Sequence, residues 1–278
     1  MVKLPLAKLI RTHPIETLET ITGLTYSPFQ REIILSNNPR VIVKSPRQSG
    51  KSESLVGLSL LTMLQGKKVV SFQPSVRQSI ALIDRVKRYL IKMGTVPDIC
   101  SRSEIHLDNG GSIKGLPIKG SSRGDTVDLV LFDEVAFIEE NTDDDLLAIA
   151  LPFLSKVGSR LVISSTPKGR HGLFYKIWTE ENNFQKISGT IGEVQHYDPD
   201  FIESQRLMMG YALFNREFNC AFDELNEIGL FSELDLMKFT GGKTCIISHT
   251  EQTKNTPEDG SAWTSEPEPV KTSRPVFV

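Results

Sequence analysis

The sequence predicts an α/β protein built on a mainly parallel sheet, and three observations carry that prediction. Short runs rich in β-branched residues alternate with stretches whose apolar residues recur at helical spacing, the pattern of a parallel sheet flanked by helices. One such run ends at Ser45 and passes through "PRQSGKS" into a helical stretch. Another, "LVLF" at 129–132, is four apolar residues followed at once by two carboxylates, Asp133 and Glu134.

Taken in order, the chain opens with "MVKLPLAKLIRTHP", where Pro5 interrupts the apolar stretch and Lys8 and Arg11 follow closely. It lacks the uninterrupted apolar core of a secretion signal. Residues 1–38 read as an N-terminal helical segment that includes Gln30. Residues 39–172 read as the core, with strands expected at Val41–Ser45, Val69–Gln73, Leu129–Asp133, Leu161–Ser165 and Gln185–Thr190, the last just beyond it. Helices are expected at Glu53–Leu64 and Val76–Met93; in the second, Val76, Ile80, Ile83, Val86 and Leu90 share one face. Residues 104–118 read as a hairpin inserted into the parallel pattern, with Asn109, Gly110 and Gly111 in its turn. Residues 173–240 read as a small helical lid, Pro199 sitting near a helix start. Residues 241–278 are dominated by Thr, Ser, Pro, Glu and Lys, and a disordered tail is expected there.

Composition narrows the function classes. A hydrophobic content of 39% and a charged content of 24% are those of an ordinary globular protein. The formal net charge of −2 gives no global attraction to nucleic acid, so any polyanion must meet a local basic patch. Arg77, Arg85, Lys87, Arg88 and Lys92, on the polar side of the second helix, form the one candidate patch for DNA; a solvated helix face is the other reading. The three cysteines, Cys100, Cys220 and Cys245, have no paired spacing, which fits a reducing, cytoplasmic setting. The most apolar run, "LVGLSLLTML" at 55–64, is about half the length of a membrane span and reads as a buried helix.

A strand, then "SPRQSGKS", then a helix is the context a phosphate-binding loop requires. Gly50 lets backbone N–H groups turn toward phosphate oxygens, Lys51 reaches β and γ phosphates, and Ser52 sits where Mg²⁺ is ligated at the positive end of a helix. Ser45 departs from the usual glycine at the first position, which a serine can fill if its backbone dihedrals are ordinary. Alone, the string also fits a surface turn. Asp133 and Glu134, at the carboxyl end of a buried strand, argue for the loop: Asp133 would hold the water shell of Mg²⁺, and Glu134 would orient the water attacking the γ phosphate. Arg47, inside the loop, and Arg123, in "SSRGDT", are candidates for the guanidinium that neutralises γ-phosphate charge, Arg123 fitting a plain surface charge equally well. Ser164, Ser165 and Thr166 end the strand "LVISSTP" near the phosphate site, as sensors of γ phosphate or as a turn. The acidic run "EENTDDD" at 139–145 most simply begins a helix.

Together, "YSPFQREII", "KSPRQSGKS", "VVSFQPSVRQS", "DNGGSIKGLP", "GSSRGDTVDLVLFDEVAFI" and "LVISSTPKGRHGLFYKIW" occur in one order over Tyr26–Trp178. This stretch resembles the ATPase domain of the large terminase subunit of tailed viruses, with weaker similarity through "FNREFNCAF" to about Leu236. The resemblance implies a RecA-like additional-strand (ASCE) P-loop NTPase that hydrolyses ATP with Mg²⁺ and drives double-stranded DNA through a portal protein into a procapsid. It also implies a small terminase subunit as partner, a homo-oligomeric ring, expected to be a pentamer, and action in the host cytoplasm without a membrane.

By position, Gln30 resembles the family's adenine-contacting glutamine. Ser45, Pro46, Arg47, Gln48, Ser49, Gly50, Lys51 and Ser52 resemble its Walker A loop, Asp133 and Glu134 its Walker B pair, and Ser165 and Thr166 its coupling motif. Arg123 matches an arginine that in some members reaches a neighbouring subunit's ATP. The family's usual nuclease domain is not expected here, because the carboxylates of 241–278 lie in unstructured-looking sequence. The alternatives are a helicase-like DNA translocase and a nucleotide-gated DNA-binding or assembly factor without turnover.

Overall fold

Order along the chain follows from a few local signals, seen here in a computed structural model that describes residues 6–118, 126–138, 143–193 and 198–222. All of these fall within one of the chain's two compact units, Met1–Gly229. Three helices come first: α1 (Leu6–Thr12), α2 (Pro14–Thr22) and α3 (Pro28–Leu35). Proline at the first turn of α2 and α3 costs no hydrogen bond, because that N–H has no helical partner anyway. Ser27 caps α3 and the Gln30 side chain reaches back to the Ser27 N–H, a reciprocal capping box.

The core then runs β1 (Arg40–Lys44), α4 (Lys51–Leu64), β2 (Lys68–Gln73), α5 (Val76–Lys92), β3 (Ile99–Cys100), β4 (Glu104–His106), β5 (Ser112–Pro117) and β6 (Leu129–Phe132). It continues through α6 (Asp143–Ala150), β7 (Arg160–Ser165), α7 (Gly172–Thr179), β8 (Gln185–Ser188), α8 (Pro199–Met209) and α9 (Tyr211–Phe218). The sheet order is β3-β4-β5-β2-β6-β7-β1-β8. From β5 to β8 every pairing is parallel; β4 alone runs the other way, antiparallel to both β3 and β5. β7 lies between β1 and β6, pairing Val43 with Ser164 on one side and Phe132 with Ile163 on the other. The loop strand and the acidic strand are therefore separated by one additional strand, and all three present their carboxyl ends at the same edge.

Both faces of the sheet are covered, as a parallel sheet requires. Alternate strand residues feed two cores: Val41, Val43, Leu129, Leu131 and Val162 pack under the helices α1 to α5. Ile42, Val130, Phe132, Leu161 and Ile163 pack on the opposite face with α6 and α7. α4 is buried nearly all round, which is why its sequence shows no polar stripe. Gly57 is needed there, because a Cβ would stand 3.0 Å from the Tyr26 hydroxyl and 3.3 Å from Leu18.

Two expectations change. The hairpin at 104–118 is not an insertion outside the parallel pattern: β5 pairs in parallel with β2 from Lys68–Ser112 to Gln73–Pro117 and is a full member of the sheet. Its Gly-rich turn marks the hairpin, but nothing in six residues fixes the second neighbour. The strand expected at Gln185–Thr190 is present as β8, but it is not part of a separate helical lid over 173–240: it joins the main sheet, pairing with β1 over Val41–Lys44. The strand ends fall at Lys44, Phe132 and Ser188, short of Ser45, Asp133 and Thr190, which leaves Ser45 and Asp133 in the turns that follow. The tail expected over 241–278 lies outside the described residues.

Phe72 is fully buried, stacked on Phe132 at 4.7 Å and edge-on to Phe153 at 5.5 Å. Phe72→Ala is expected to lower unfolding free energy by about 3–5 kcal/mol in urea denaturation, from lost burial plus the cavity. A loss under about 1 kcal/mol would contradict this packing.

Candidate functional site: a phosphate loop facing an acidic strand end

The loop 45–50 leaves β1 and delivers the chain into α4. Ser45 is fully buried; its N–H donates to the Ser165 carbonyl at 3.3 Å and its hydroxyl accepts from Ser49 Oγ at 2.9 Å. The left-handed backbone positions of the loop are Gln48 (φ 56°) and Gly50 (φ 81°). Ser45 needs no positive φ, so the missing first glycine costs nothing, and its hydroxyl ties the two ends of the turn. Gly50 is the residue before Lys51, where α4 begins, and the first N–H groups of that helix have no helical acceptor.

Lys51 is buried to 5% exposure, and its ammonium donates to Glu134 Oε1 at 2.6 Å and to Thr166 Oγ1 at 3.5 Å. Ser52 Oγ donates to Asp133 Oδ2 at 2.8 Å, and Ser164 Oγ to Asp133 Oδ1 at 2.6 Å. The Glu134 N–H also donates to Asp133 Oδ1 at 3.1 Å. Glu134 itself is left-handed, φ 55° and ψ 40°, a costly backbone for a glutamate. The turn directs its carboxylate toward Lys51 and toward the end of β7. There Thr166 N–H donates to Glu134 Oε2 at 3.3 Å and Ser165 Oγ at 3.4 Å. The Ser165 hydroxyl also donates to the Thr166 carbonyl at 2.7 Å and accepts from Ala136 N–H at 3.1 Å.

A cleft of about 650 Å³ opens over these groups, lined by residues 46–52 together with Glu134 and Thr166. Glu53, Pro74, Gln78, Arg85 and Phe137 complete its walls. Sequence reasoning placed Arg85 on a DNA-facing helix surface, but it stands in this cleft, 3.9 Å from Glu53. Lys92 of the same patch is engaged by the Thr22 carbonyl at 3.0 Å. The helical stripe fixed which side of α5 is polar, and it gave no sign that α4 and the loop lie beside part of that side.

Gln30 is not a free amide at the cleft wall. Its Oε1 accepts from Ser27 N–H at 2.8 Å and its Nε2 donates to the Gly50 carbonyl at 3.1 Å, so it holds the loop against α3. Arg47 lines the cleft, with its guanidinium 5.9 Å from the Phe137 ring centre, and its Nε donates to the Glu217 carboxylate of α9. Nothing local in "NREFN" marks Glu217 as a buried carboxylate, and only the folded chain reveals it. Arg123 and residues 139–142 lie outside the described residues; α6 does begin at Asp143. Behind the loop, burial lowers the pKa of Lys44, whose ammonium lies 4.6 Å from the Trp178 ring centre and 5.3 Å from that of Phe222. Burial pushes the neighbouring Cys220 thiol up to about 12, so it stays protonated and unreactive at neutral pH.

A glycine-hinged loop before α4, a strand end carrying adjacent carboxylates and one strand interposed between them define an additional-strand P-loop NTPase. The family model described as terminase large subunit, T4likevirus-type, N-terminal, matches residues 42–238. The chain belongs to this family, that of the N-terminal part of large terminase subunits.

Solved structures share the fold. The large terminase ATPase domain of Thermus phage P74-26 is 21% identical, with a TM-score of 0.62 over 74% of this chain and 97% of that one. The large terminase of a thermophilic bacteriophage, solved in complex with ADP, is 16% identical, with a TM-score of 0.56 over 71% of this chain and 54% of that one. That of bacteriophage HK97 is 17% identical, with a TM-score of 0.53 over 66% and 43%. The chain thus spans about half the length of the longer relatives. No curated protein matches it in sequence. Among the described residues, no helix is long and apolar enough to cross a membrane.

Gly50→Ala would place a Cβ against the Gln30 amide at a backbone angle L residues resist. It is expected to cost about 1–2 kcal/mol in chemical denaturation and to weaken nucleotide binding at least tenfold in titrations with a fluorescent ATP analogue. Unchanged binding would remove the loop from the ligand site.

Proposed function

We propose that the cleft binds ATP with Mg²⁺ and hydrolyses it to drive double-stranded DNA through a portal protein into a procapsid. The observation that carries this reading is the pairing of two loop residues with two acidic residues across the additional strand: Lys51 with Glu134, Ser52 with Asp133. A loop lysine buried beside a carboxylate is a cation waiting for a stronger anion. The phosphates of ATP compete for Lys51 and free Glu134 to orient the attacking water.

Ser52 and Asp133 offer two hard oxygen donors, which suits a magnesium ion that takes its other ligands from water and phosphate. Bound there, Mg²⁺ supplies neutralisation of the phosphate charge. Ser164, by donating to Asp133, holds that carboxylate in orientation. The main-chain N–H groups of 48–52 and the positive end of α4 hold the phosphates. In this reading Arg47, which lines the cleft, meets γ-phosphate charge from within the chain. Arg123 is assigned to a neighbouring subunit's site in a homo-oligomeric ring, for which a pentamer and a small terminase subunit are the expected company in the host cytoplasm.

Ser165 and Thr166 both touch Glu134, so they sense whether that carboxylate is held or released and pass the difference to β7. With both amide ends engaged, Gln30 acts in this reading by fixing Gly50, and adenine contact requires that it exchange one of those bonds.

Glu134→Gln is expected to keep binding of the ATP analogue within about twofold while turnover falls at least 100-fold, measured by phosphate release with Mg²⁺. Turnover equal to wild type would remove Glu134 from the chemistry. With portal-bearing procapsids and a nuclease-bearing partner, DNA is expected to become protected from DNase only when ATP is supplied. Unwinding without protection would favour the helicase-like translocase, and ATP-independent protection the binding factor.

A further inference from the structure

One buried carboxylate has no part in the chemistry above. Glu217, on α9, is 3% exposed, yet it stands against the phosphate loop 170 residues earlier in the chain. Its carboxylate accepts from Arg47 Nε on one oxygen and from Arg216 Nε, at 3.1 Å, on the other. Its main-chain carbonyl accepts the Arg47 N–H at 3.1 Å. A single residue therefore fixes both the backbone and the side chain of Arg47.

A carboxylate this buried is tolerated as an anion only when its charge is met and its lone pairs are filled. The two arginines meet that demand. Arg47 gains a different thing: its side chain is 60% exposed, and such a side chain otherwise samples many rotamers. Pairing through Nε engages one of the five N–H donors of the guanidinium and sets the plane of the whole fork. The Phe137 ring flanks the same guanidinium at the cleft wall.

We propose that Glu217 is a positioning residue for Arg47: through its carboxylate and its carbonyl, α9 sets where the loop's guanidinium meets the terminal phosphate of the nucleotide. The proposal rests on the reading of Arg47 given above. It follows that a displacement of α9 displaces Arg47, so the helix nearest the end of the described chain is linked to the phosphate site by one residue.

The test uses the 278-residue chain with Glu217→Gln, Glu217→Asp, Arg47→Ala and the Arg47→Ala/Glu217→Gln double variant. Steady-state hydrolysis, ATP-analogue binding and amide hydrogen exchange are read for each. Glu217→Gln is expected to lower kcat about 10- to 100-fold with nucleotide affinity within about twofold, because misplacing a transition-state group by about 1 Å has that effect. Glu217→Asp should recover part of the rate. In the Arg47→Ala background, Glu217→Gln should cause no further loss.

Equal losses in both backgrounds, or a change in affinity and thermal midpoint with kcat unchanged, would overturn the assignment and leave Glu217 a structural residue. Hydrogen exchange decides the same point without hydrolysis. The Arg47 amide should exchange at least tenfold faster in Glu217→Gln, and unchanged exchange would overturn the clamp. A wild-type chain inert toward ATP would instead overturn the reading of the cleft, with the exchange result still deciding whether Glu217 holds Arg47. Arg47→Ala approaches the pair from its exposed partner, so a folding failure of the Glu217 variants does not remove the test.

Discussion

The site depends on contacts made across the ends of two strands that are not neighbours. β1 and β6 are held one strand apart by β7, and the gap is closed only at their carboxyl ends, where Ser52 meets Asp133 and Lys51 meets Glu134. If β1 and β6 were direct neighbours, the loop and the carboxylates would crowd the same few ångströms. With β7 between them there is room for a phosphate chain, and the end of β7 itself becomes part of the wall: Ser164 donates to Asp133, and Thr166 touches both Lys51 and Glu134. The parallel sheet makes this possible, because every strand end that matters points the same way.

Local strain is concentrated at the same edge. Among the described residues, three that are not glycine have positive φ, and two of them, Gln48 and Glu134, belong to this site. Each is overdetermined by its surroundings. Gln48 lies in a loop tied across its base by the Ser45–Ser49 hydroxyl pair, and Glu134 is held by Lys51, Ser165 and the Thr166 N–H. The unusual serine at position 45 is thus a structural tie, and the turn's left-handed burden is carried by Gln48 and Gly50.

Much of this was legible in the sequence because the strands are buried on both faces and end in punctuation. "VIVKSP", "VVSFQP", "LVLFDE" and "LVISSTP" each combine an apolar run with a stop, and each is a strand within a residue or so of its expected limits. The loop and the acidic pair were readable for a related reason: their chemistry needs particular residue types at fixed spacing from a strand end. What stayed hidden has no local signature. The place of β5 beside β2, β8 as an edge strand, Arg85 in the cleft and Glu217 beneath Arg47 all depend on which element packs on which. Gln30 shows the limit from the other side: by position it reads as an adenine contact, while its bond to the Gly50 carbonyl depends on where α3 packs against the loop.

In this reading Lys51 and the two carboxylates form one phosphate-responsive unit. A crystal structure of the chain with Mg²⁺ and a slowly hydrolysed ATP analogue tests it most directly. The triphosphate is expected over residues 48–52, with the Lys51 ammonium drawn from Glu134 onto phosphate oxygens and the metal beside Ser52 and Asp133. A nucleotide bound elsewhere, or bound here with Lys51 still on Glu134, would contradict it.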